Sequence, residues 1–366
     1  MTVENNYYKG VFLTMNTKHG NLFEQFKFKN CITLKNKIVM SPMTTWSSNN
    51  DNTISDEEIE YYKVRVNGVG LVITGCTYVH PNGIGFLNEF ASYDDKFIPS
   101  LRKLANAAKS GGANAILQIF HAGNKALPNL VPNGDVVSAS AIKTEASAFA
   151  PALLPRELSH EEVLDIVNAF GETTRRAIEA GFDGVEIHGA HGFLIPNFTS
   201  PLYNKRSDEW GESPEKRLMF PLAIVNKIKD VIKEYVKKPF ILGYRLSPEE
   251  SEKGGLRIGD TYKLINHLIE IDIYYIHISL TSALSSKPID SKDEKTYLEL
   301  ISKYVNGKVP IIVAGSMLTP DDVEQALNNG ASLTAIGRAL VINPDWVEKV
   351  KNDKKMKLRC QLILRK

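Results

Sequence analysis

Cysteine is scarce. Cys31, Cys76 and Cys360 are the only three in 366 residues. An odd number at wide spacing makes neither a disulfide framework nor a metal-ligand cluster, and it suits a reducing cytosol. Long apolar runs are absent too: none approaches the ~20 residues that a membrane-spanning helix requires. The N-terminal MTVENNYYKGVFLTM has no basic stretch leading into an apolar one, so no signal peptide is expected. Net charge is nearly nil, with 44 Lys and Arg against 42 Asp and Glu. That leaves no electrostatic footprint for a polyanion. The expectation is a cytoplasmic protein with no nucleic acid and no membrane among its partners.

What is present is a large apolar fraction, 43%, enough for a sizeable core. From about residue 37, short runs rich in Val and Ile alternate with helix-period segments. The runs are KIVMS (37–41), GLVITG (70–75), AILQIF (115–120), GVEIHG (184–189), FILGYRL (240–246), YYIHIS (274–279), PIIVAG (310–315) and LTAIGR (333–338). Runs this short and apolar fit parallel strands covered on both faces. Between them, Ser55 and Ser159 read as helix N-caps, Gly68 and Gly181 as stops, and Pro320 and Pro344 as first-turn residues. The fold class is therefore α/β. Repeated strand–helix alternation predicts an eight-stranded parallel β/α (TIM) barrel, read as one domain over 1–366. A doubly wound open sheet is the competitor, but SPMTTW follows the first run where a G-x-G-x-x-G would stand. The alternating stretch at about 20–36 reads as an N-terminal hairpin capping the barrel bottom, and about 350–366 as a basic tail.

In such barrels the active face lies at the C-terminal ends of the strands. Polar residues gather there in unit after unit: Pro42-Met43-Thr44, Gly75-Cys76, Gln118 and His121, His188 and His191, Arg245, Gly315-Ser316 and Gly337-Arg338. The last two pairs follow strands seven and eight, where barrels commonly hold phosphate. Glycine admits backbone N–H groups to an anion, a helix start behind each adds positive character, and Arg338 supplies charge-assisted hydrogen bonds. Gln118 and Arg245 need partners near the barrel rim, and a heterocycle with alternating carbonyl and N–H groups would satisfy both. His188 and His191 admit three readings: packed imidazoles, a metal site with Glu186, or a grip on a substrate oxygen. No third and fourth ligand stand at recognisable spacing, so no metal is expected and oxygen binding leads.

These motifs, in this order on consecutive strands, resemble the Old Yellow Enzyme family of FMN-dependent NAD(P)H oxidoreductases, in particular its bacterial NADH-dependent branch. The resemblance runs from LFEQFKFKNCITLKNKIVMSPMTT to the segment ending NPDWVEKV. It implies a tightly bound, non-covalent FMN with NAD(P)H as reductant. Pro42, Met43, Thr44 and Cys76 would line the flavin, and Gln118 and Arg245 would meet its pyrimidine edge. Gly315, Ser316, Gly337 and Arg338 would hold its phosphate. His188, His191 and Thr44 would act in catalysis, the two imidazoles binding the oxygen of a small oxidant such as a quinone, flavin, nitro compound or activated enone. It further implies ping-pong turnover and is compatible with a homo-oligomer.

Two departures stand out. Family members that reduce alkenes usually carry Tyr two residues after the second histidine, as the acid that protonates the α-carbon. Here the residue is Phe193, which has no proton to give, so alkene reduction should be weakened. Tyr203, on a long loop, is the replacement the sequence offers. The chain also ends soon after Arg338, so contacts made by the longer tails of relatives are not assumed. Two other functions share parts of this pattern. An FMN-binding protein with little turnover would have the same phosphate grip. A flavin-free phosphate-binding lyase or isomerase would need a Lys or carboxylate at a strand end, where Glu186 is the only candidate.

Overall fold

A computed structural model describes residues 18–29, 32–146, 151–289 and 294–354. Eight strands close into a barrel: β1 (Ile38–Met40), β2 (Leu71–Tyr78), β3 (Asn114–Phe120), β4 (Gly184–Gly189), β5 (Ile241–Leu246), β6 (Tyr275–Ser279), β7 (Ile311–Ala314) and β8 (Leu333–Ile336). Neighbours pair in parallel all the way round, β8 returning to β1 through Thr334↔Ile38 and Ile336↔Met40. Each strand falls within a run expected from sequence, or overlaps it. The chemistry explains why: in a parallel barrel both faces of a strand are covered, which favours Val- and Ile-rich runs.

Among the described residues ten α-helices surround the strands: α1 (Asp56–Lys63), α2 (Ile98–Lys109), α3 (His160–Ala180), α4 (Leu194–Thr199), α5 (Met219–Tyr235), α6 (Ile258–Glu270), α7 (Tyr297–Val305), α8 (Pro320–Asn328), α9 (Arg338–Ile342) and α10 (Trp346–Lys351). The Ser159 cap is a full capping box with Glu162, and α3 stops on Gly181 at φ 91°, a left-handed turn that only glycine enters freely. Ser55 caps α1 as expected, but that helix ends at Lys63, well before Gly68. Two further expectations shift in the same way. Pro320 opens α8 behind Thr319, whereas Pro344 sits in the turn ahead of α10, whose N-cap is Asp345. The short α4 was not anticipated: all six of its residues are buried, so it has no polar face to generate a period.

The barrel interior separates into an apolar floor and a polar roof. Val39, Leu71, Ile73, Ile116, Ile241, Ile312 and Leu333 form the floor with Phe28 and Leu34 from the N-terminal segment. That segment pairs Phe26–Lys27 with Thr33–Leu34 in an antiparallel ladder. Phe28 and Leu34 are 2% and 0% exposed; burying each contributes roughly 1.5–3 kcal/mol. The predicted bottom-capping hairpin is thus present; Cys31, like Cys360 and most of the tail, lies outside the described residues. Among the described residues no helix is long and apolar enough to cross a membrane.

Candidate active site

Above the floor, the inward-facing residues of β3 to β6 turn polar. Register places Gln118, Glu186 and Gly243 side by side, and one layer higher His188, Arg245 and His277. Gln118 Nε2 donates to Glu186 Oε1 at 2.6 Å, and the other carboxylate oxygen lies 2.9 Å from His277 Nδ1. Glu186 and His277 are both fully buried. Burial alone would drive the carboxyl upward, but His277, Arg245 and the Gln118 amide outweigh it and hold the pKa below the usual carboxylate range. Burial pushes His277 the other way, below an ordinary imidazole. The consistent charge state is an anionic Glu186 balanced by Arg245, with neutral His277 donating through Nδ1. Arg245 Nε and His277 Nε2 remain buried without a partner. Sequence reading missed His277. Strand alternation could have found it, since it faces inward with Tyr275 and Ser279 from an otherwise apolar strand.

His188 ends the polar layer and His191 begins the loop beyond it. Their rings lie 5.0 Å apart at 80°. The Ala190 N–H reaches His188 Nδ1 at 3.3 Å, which leaves the proton on Nε2. His191 adopts φ 61° and Gly192 φ 71°, so the chain doubles back and turns the second ring towards the first. Ser279 Oγ accepts from Arg245 at 2.9 Å and lies 2.7 Å from His191 Nε2. Burial, then the charges of Arg245 and Lys125, hold the His191 pKa down; burial does the same more strongly for His188. Both are neutral imidazoles at ordinary pH. Phe193 stands edge-on to His188 at 5.1 Å and to Phe120 at 5.1 Å.

The ends of β1 and β2 close the other side. A one-residue bulge between Ile73 and Cys76 turns Cys76 inward beside Gln118. Its Sγ lies 3.6 Å from Thr44 Oγ1 and 3.4 Å from buried Glu89. Burial, reinforced by Glu89, raises the thiol pKa well above normal, so Cys76 stays protonated. At the far end Arg338 donates to Ser316 Oγ at 2.6 Å, and Ser316 to the Thr281 carbonyl at 2.6 Å. A cavity of about 230 Å³ opens there between Met43, Gly315, Ser316, Gly337 and Arg338. A Cβ on Gly337 would stand 2.9 Å from Met43 Sδ, and one on Gly315 2.5 Å from the Ala283 nitrogen. Leu280 and Thr281 join this cavity to one of about 340 Å³, which shares His191 and Ser247 with a third of about 530 Å³. The result is a trench across the barrel mouth.

Two sequence expectations need correction. His121 is not part of the trench: its nitrogens engage Asn82 Oδ1 at 2.8 Å and the Gly123 N–H at 3.0 Å, bracing a turn. The start of α8 does not offer free N–H groups, because Asp322 accepts those of Leu318 and Thr319; only α9 begins directly behind its glycine. Glu186 faces Gln118 and His277, so it makes no metal site with the histidine pair. Among the described residues the one cluster with metal-ligand spacing is His19, Asp321 and Glu324, outside the trench.

The buried imidazoles carry a consequence for stability. His121, His188 and His277 all have pKa values lowered chiefly by burial. Below about pH 6.5 the unfolded chain binds protons at these sites that the folded chain refuses, so stability falls as pH falls, by up to about 1.4 kcal/mol per pH unit for each. Urea midpoints should therefore drop steeply between about pH 6.5 and 4.5. A flat profile would mean that these rings take up protons inside the fold.

With the geometry in view, comparison with known proteins is informative. A family model described as NADH:flavin oxidoreductase / NADH oxidase matches residues 21–357. The chain belongs to the NADH:flavin oxidoreductase / NADH oxidase family. Like other members of that family, it is an oxidoreductase. It is 45% identical over 344 residues to the probable NADH-dependent flavin oxidoreductase YqiG of Bacillus subtilis (strain 168), spanning 94% of this chain and 91% of that protein. It is 37% identical over 348 residues to the NADH:fumarate oxidoreductase of Klebsiella pneumoniae (strain 342), covering 93% of this chain but 37% of that much longer protein. Among solved structures, the old yellow enzyme homologue from Zymomonas mobilis superposes with a TM-score of 0.81 at 24% identity, covering 93% and 95% of the two chains. At that identity the likeness establishes the fold, an Old Yellow Enzyme type TIM barrel.

Proposed function

We propose that this family member takes hydride from NAD(P)H onto an FMN held tightly but non-covalently along the trench. It then passes reducing equivalents to a small oxidant, such as a quinone, free flavin, nitro compound or activated enone. The observation that carries the reading is the grouping of donors at the barrel mouth: Arg338 and Ser316 on one cavity, His191 on the next two, and His188 with the unpartnered Arg245 Nε buried beside His191.

The residues present fit such a group. An orphaned buried guanidinium nitrogen inside a barrel costs about 1–3 kcal/mol or more unless a ligand satisfies it. An electron-rich ring edge at Arg245 does so. Gln118 would bind the same heterocycle, its amide orientation fixed by Glu186. Pro42, Met43, Thr44 and Cys76 would form the wall against the ring. Gly315, Ser316, Gly337 and Arg338 would hold the phosphate, whose approach requires the absence of side chains at both glycines. When bound, FMN supplies a carrier that receives a hydride from one molecule and yields it to another. His188 offers an Nε2–H to an oxidant's oxygen from one side and His191 meets it from the other. As negative charge grows on that oxygen, two preorganised neutral donors stabilise it, each by on the order of 3 kcal/mol.

Glu186 does not serve a lyase or isomerase, since both its oxygens are engaged and it is fully buried. Anaerobic addition of NADH or NADPH to the purified yellow protein tests the reading: absorbance near the flavin band should bleach and return on adding a quinone. Bound flavin that neither nucleotide bleaches would leave a flavin store in place of an enzyme. Arg338→Ala should weaken FMN affinity by about 10²-fold, the loss of a charge-assisted hydrogen bond. Because Arg338 is exposed, the flavin-free protein should unfold at an unchanged urea midpoint. Retention of FMN at wild-type affinity would move the phosphate elsewhere.

A further inference from the structure

Phe193 leaves the substrate side of the trench without a phenol, and the structure sets a different acid there. Lys125 ends a single helical turn, Gly123–Lys125, in the loop after β3. That loop is laced to the one after β4: the Leu194 N–H donates to the His121 carbonyl at 3.0 Å and the Asn124 N–H to Asn197 Oδ1 at 3.0 Å. Lys125 Nζ donates to the His191 carbonyl at 2.5 Å and lies 5.8 Å from the centre of the Phe193 ring. A Cβ on Gly192 would come within 2.7 Å of the ammonium. Glycine at 192, already required by its φ of 71°, therefore also admits the lysine. Lys125 and His191 open on the same cavity of about 530 Å³.

We infer that Lys125 is a catalytic acid of this site, donating to the α-carbon of an activated alkene the proton that Phe193 cannot supply. This rests on the oxidoreductase reading above. In the balanced step, the hydride equivalent that originates in NAD(P)H bonds to the β-carbon. The alkene π pair shifts towards the oxygen held by His188 and His191, then takes the proton from Nζ to form the α C–H bond. A neutral amine remains and regains its proton from cavity water. The net change is one C=C bond reduced by NAD(P)H and one proton from solvent.

The surroundings suit a lysine better than the tyrosine in the same cavity. Burial lowers the Lys125 pKa, with Glu252 and Glu250 on the facing wall opposing the shift. Burial and those same carboxylates raise the phenol of Tyr203, making it the poorer donor. The other charged groups lining the cavity are Lys143, Glu145 and Glu249, with Arg245 close to His191. His191 and His188 are neutral and supply no competing proton.

The test uses holoenzyme reduced with NADH, then mixed in single turnovers with 2-cyclohexenone or with a benzoquinone from pH 6 to 10. A quinone needs no proton at carbon. For Lys125→Arg, which keeps the charge and the hydrogen bond to His191 but scarcely releases a proton, the ratio of enone to quinone rates should fall about 10²-fold. The wild-type enone rate should decline at alkaline pH, and the variant should lack that limb. Phe193→Tyr placed in Lys125→Met should restore the ratio. A ratio in Lys125→Arg equal to wild type would make the lysine a brace for the loop and overturn the proposal. Should the variants fail to fold, the unaltered chain still decides. In flavin-free protein with reductively ¹³C-methylated lysines, the signals of Lys35 and Lys125 should titrate below the exposed lysines, and of these two only that of Lys125 should shift when a phenol enters the cavity. Titration of every signal with the exposed lysines would overturn the proposal too. Wild-type protein inert towards both oxidants would instead remove the oxidoreductase reading on which it rests.

Discussion

Glu186→Ala should destabilise the protein by about 3–5 kcal/mol, because deleting one partner of a buried charge pair leaves the other charge uncompensated. Arg245 would be that charge, 6% exposed, bonded to Ser279 and otherwise short of acceptors. Gln118 and His277 would also each lose the acceptor they reach at 2.6 and 2.9 Å. Urea unfolding measures the loss, and a change under about 1 kcal/mol would show that no carboxylate charge resides in the barrel. A companion variant separates stability from function. Replacing Gln118, Glu186, Arg245 and His277 together by apolar residues of similar volume should recover much of the loss, since buried ion pairs rarely out-stabilise good packing. The same variant should fail to retain flavin. Recovery of both would make the polar roof dispensable.

Phe193→Tyr should raise the enone rate by about ten- to a hundredfold, part of the 10²–10⁴ that a positioned general acid provides. The gain is at the lower end because Lys125 already serves. The substitution keeps the ring, so the edge-on contacts at 5.1 Å to His188 and Phe120 survive, and it adds a hydroxyl beside the imidazole pair. Reduction by NADH needs no acid at this position and should change by less than about twofold. Stopped-flow measurement of the two half-reactions separates them. An equal rise in both would mean that the hydroxyl acts on flavin reduction, or on folding, and not as an acid.

Both variants touch residues that differ in how plainly they could be read in advance. The eight strands were legible because burial on both faces leaves a run of Val, Ile and Leu little alternative. Ser316 and Arg338, which the structure joins by a hydrogen bond at 2.6 Å, were legible as a pair because glycines there sit at fixed places in the repeat. Glu186 was visible as an inward-facing neighbour of His188, while only register against β3 and β6 reveals Gln118 and His277 as its partners. Lys125 left no trace, lying in a loop without period and gaining its meaning from contact with a residue on another loop. His121 looked like a member of the strand-end series, yet one residue past β3 the chain had already turned away. Cys76 faces inward only because of a bulge that composition does not announce.

The hairpin that seals the barrel floor decides how molecules must queue. With Phe28 and Leu34 filling the lower end, the cavities among the described residues open at the top, and on the proposed reading donor and acceptor would wait for the same berth. Excess NAD(P)H should then obstruct its own oxidant, so plots of rate against nucleotide concentration bend downward competitively with the quinone. The stopper that gives the interior its rigidity thereby also enforces one guest at a time.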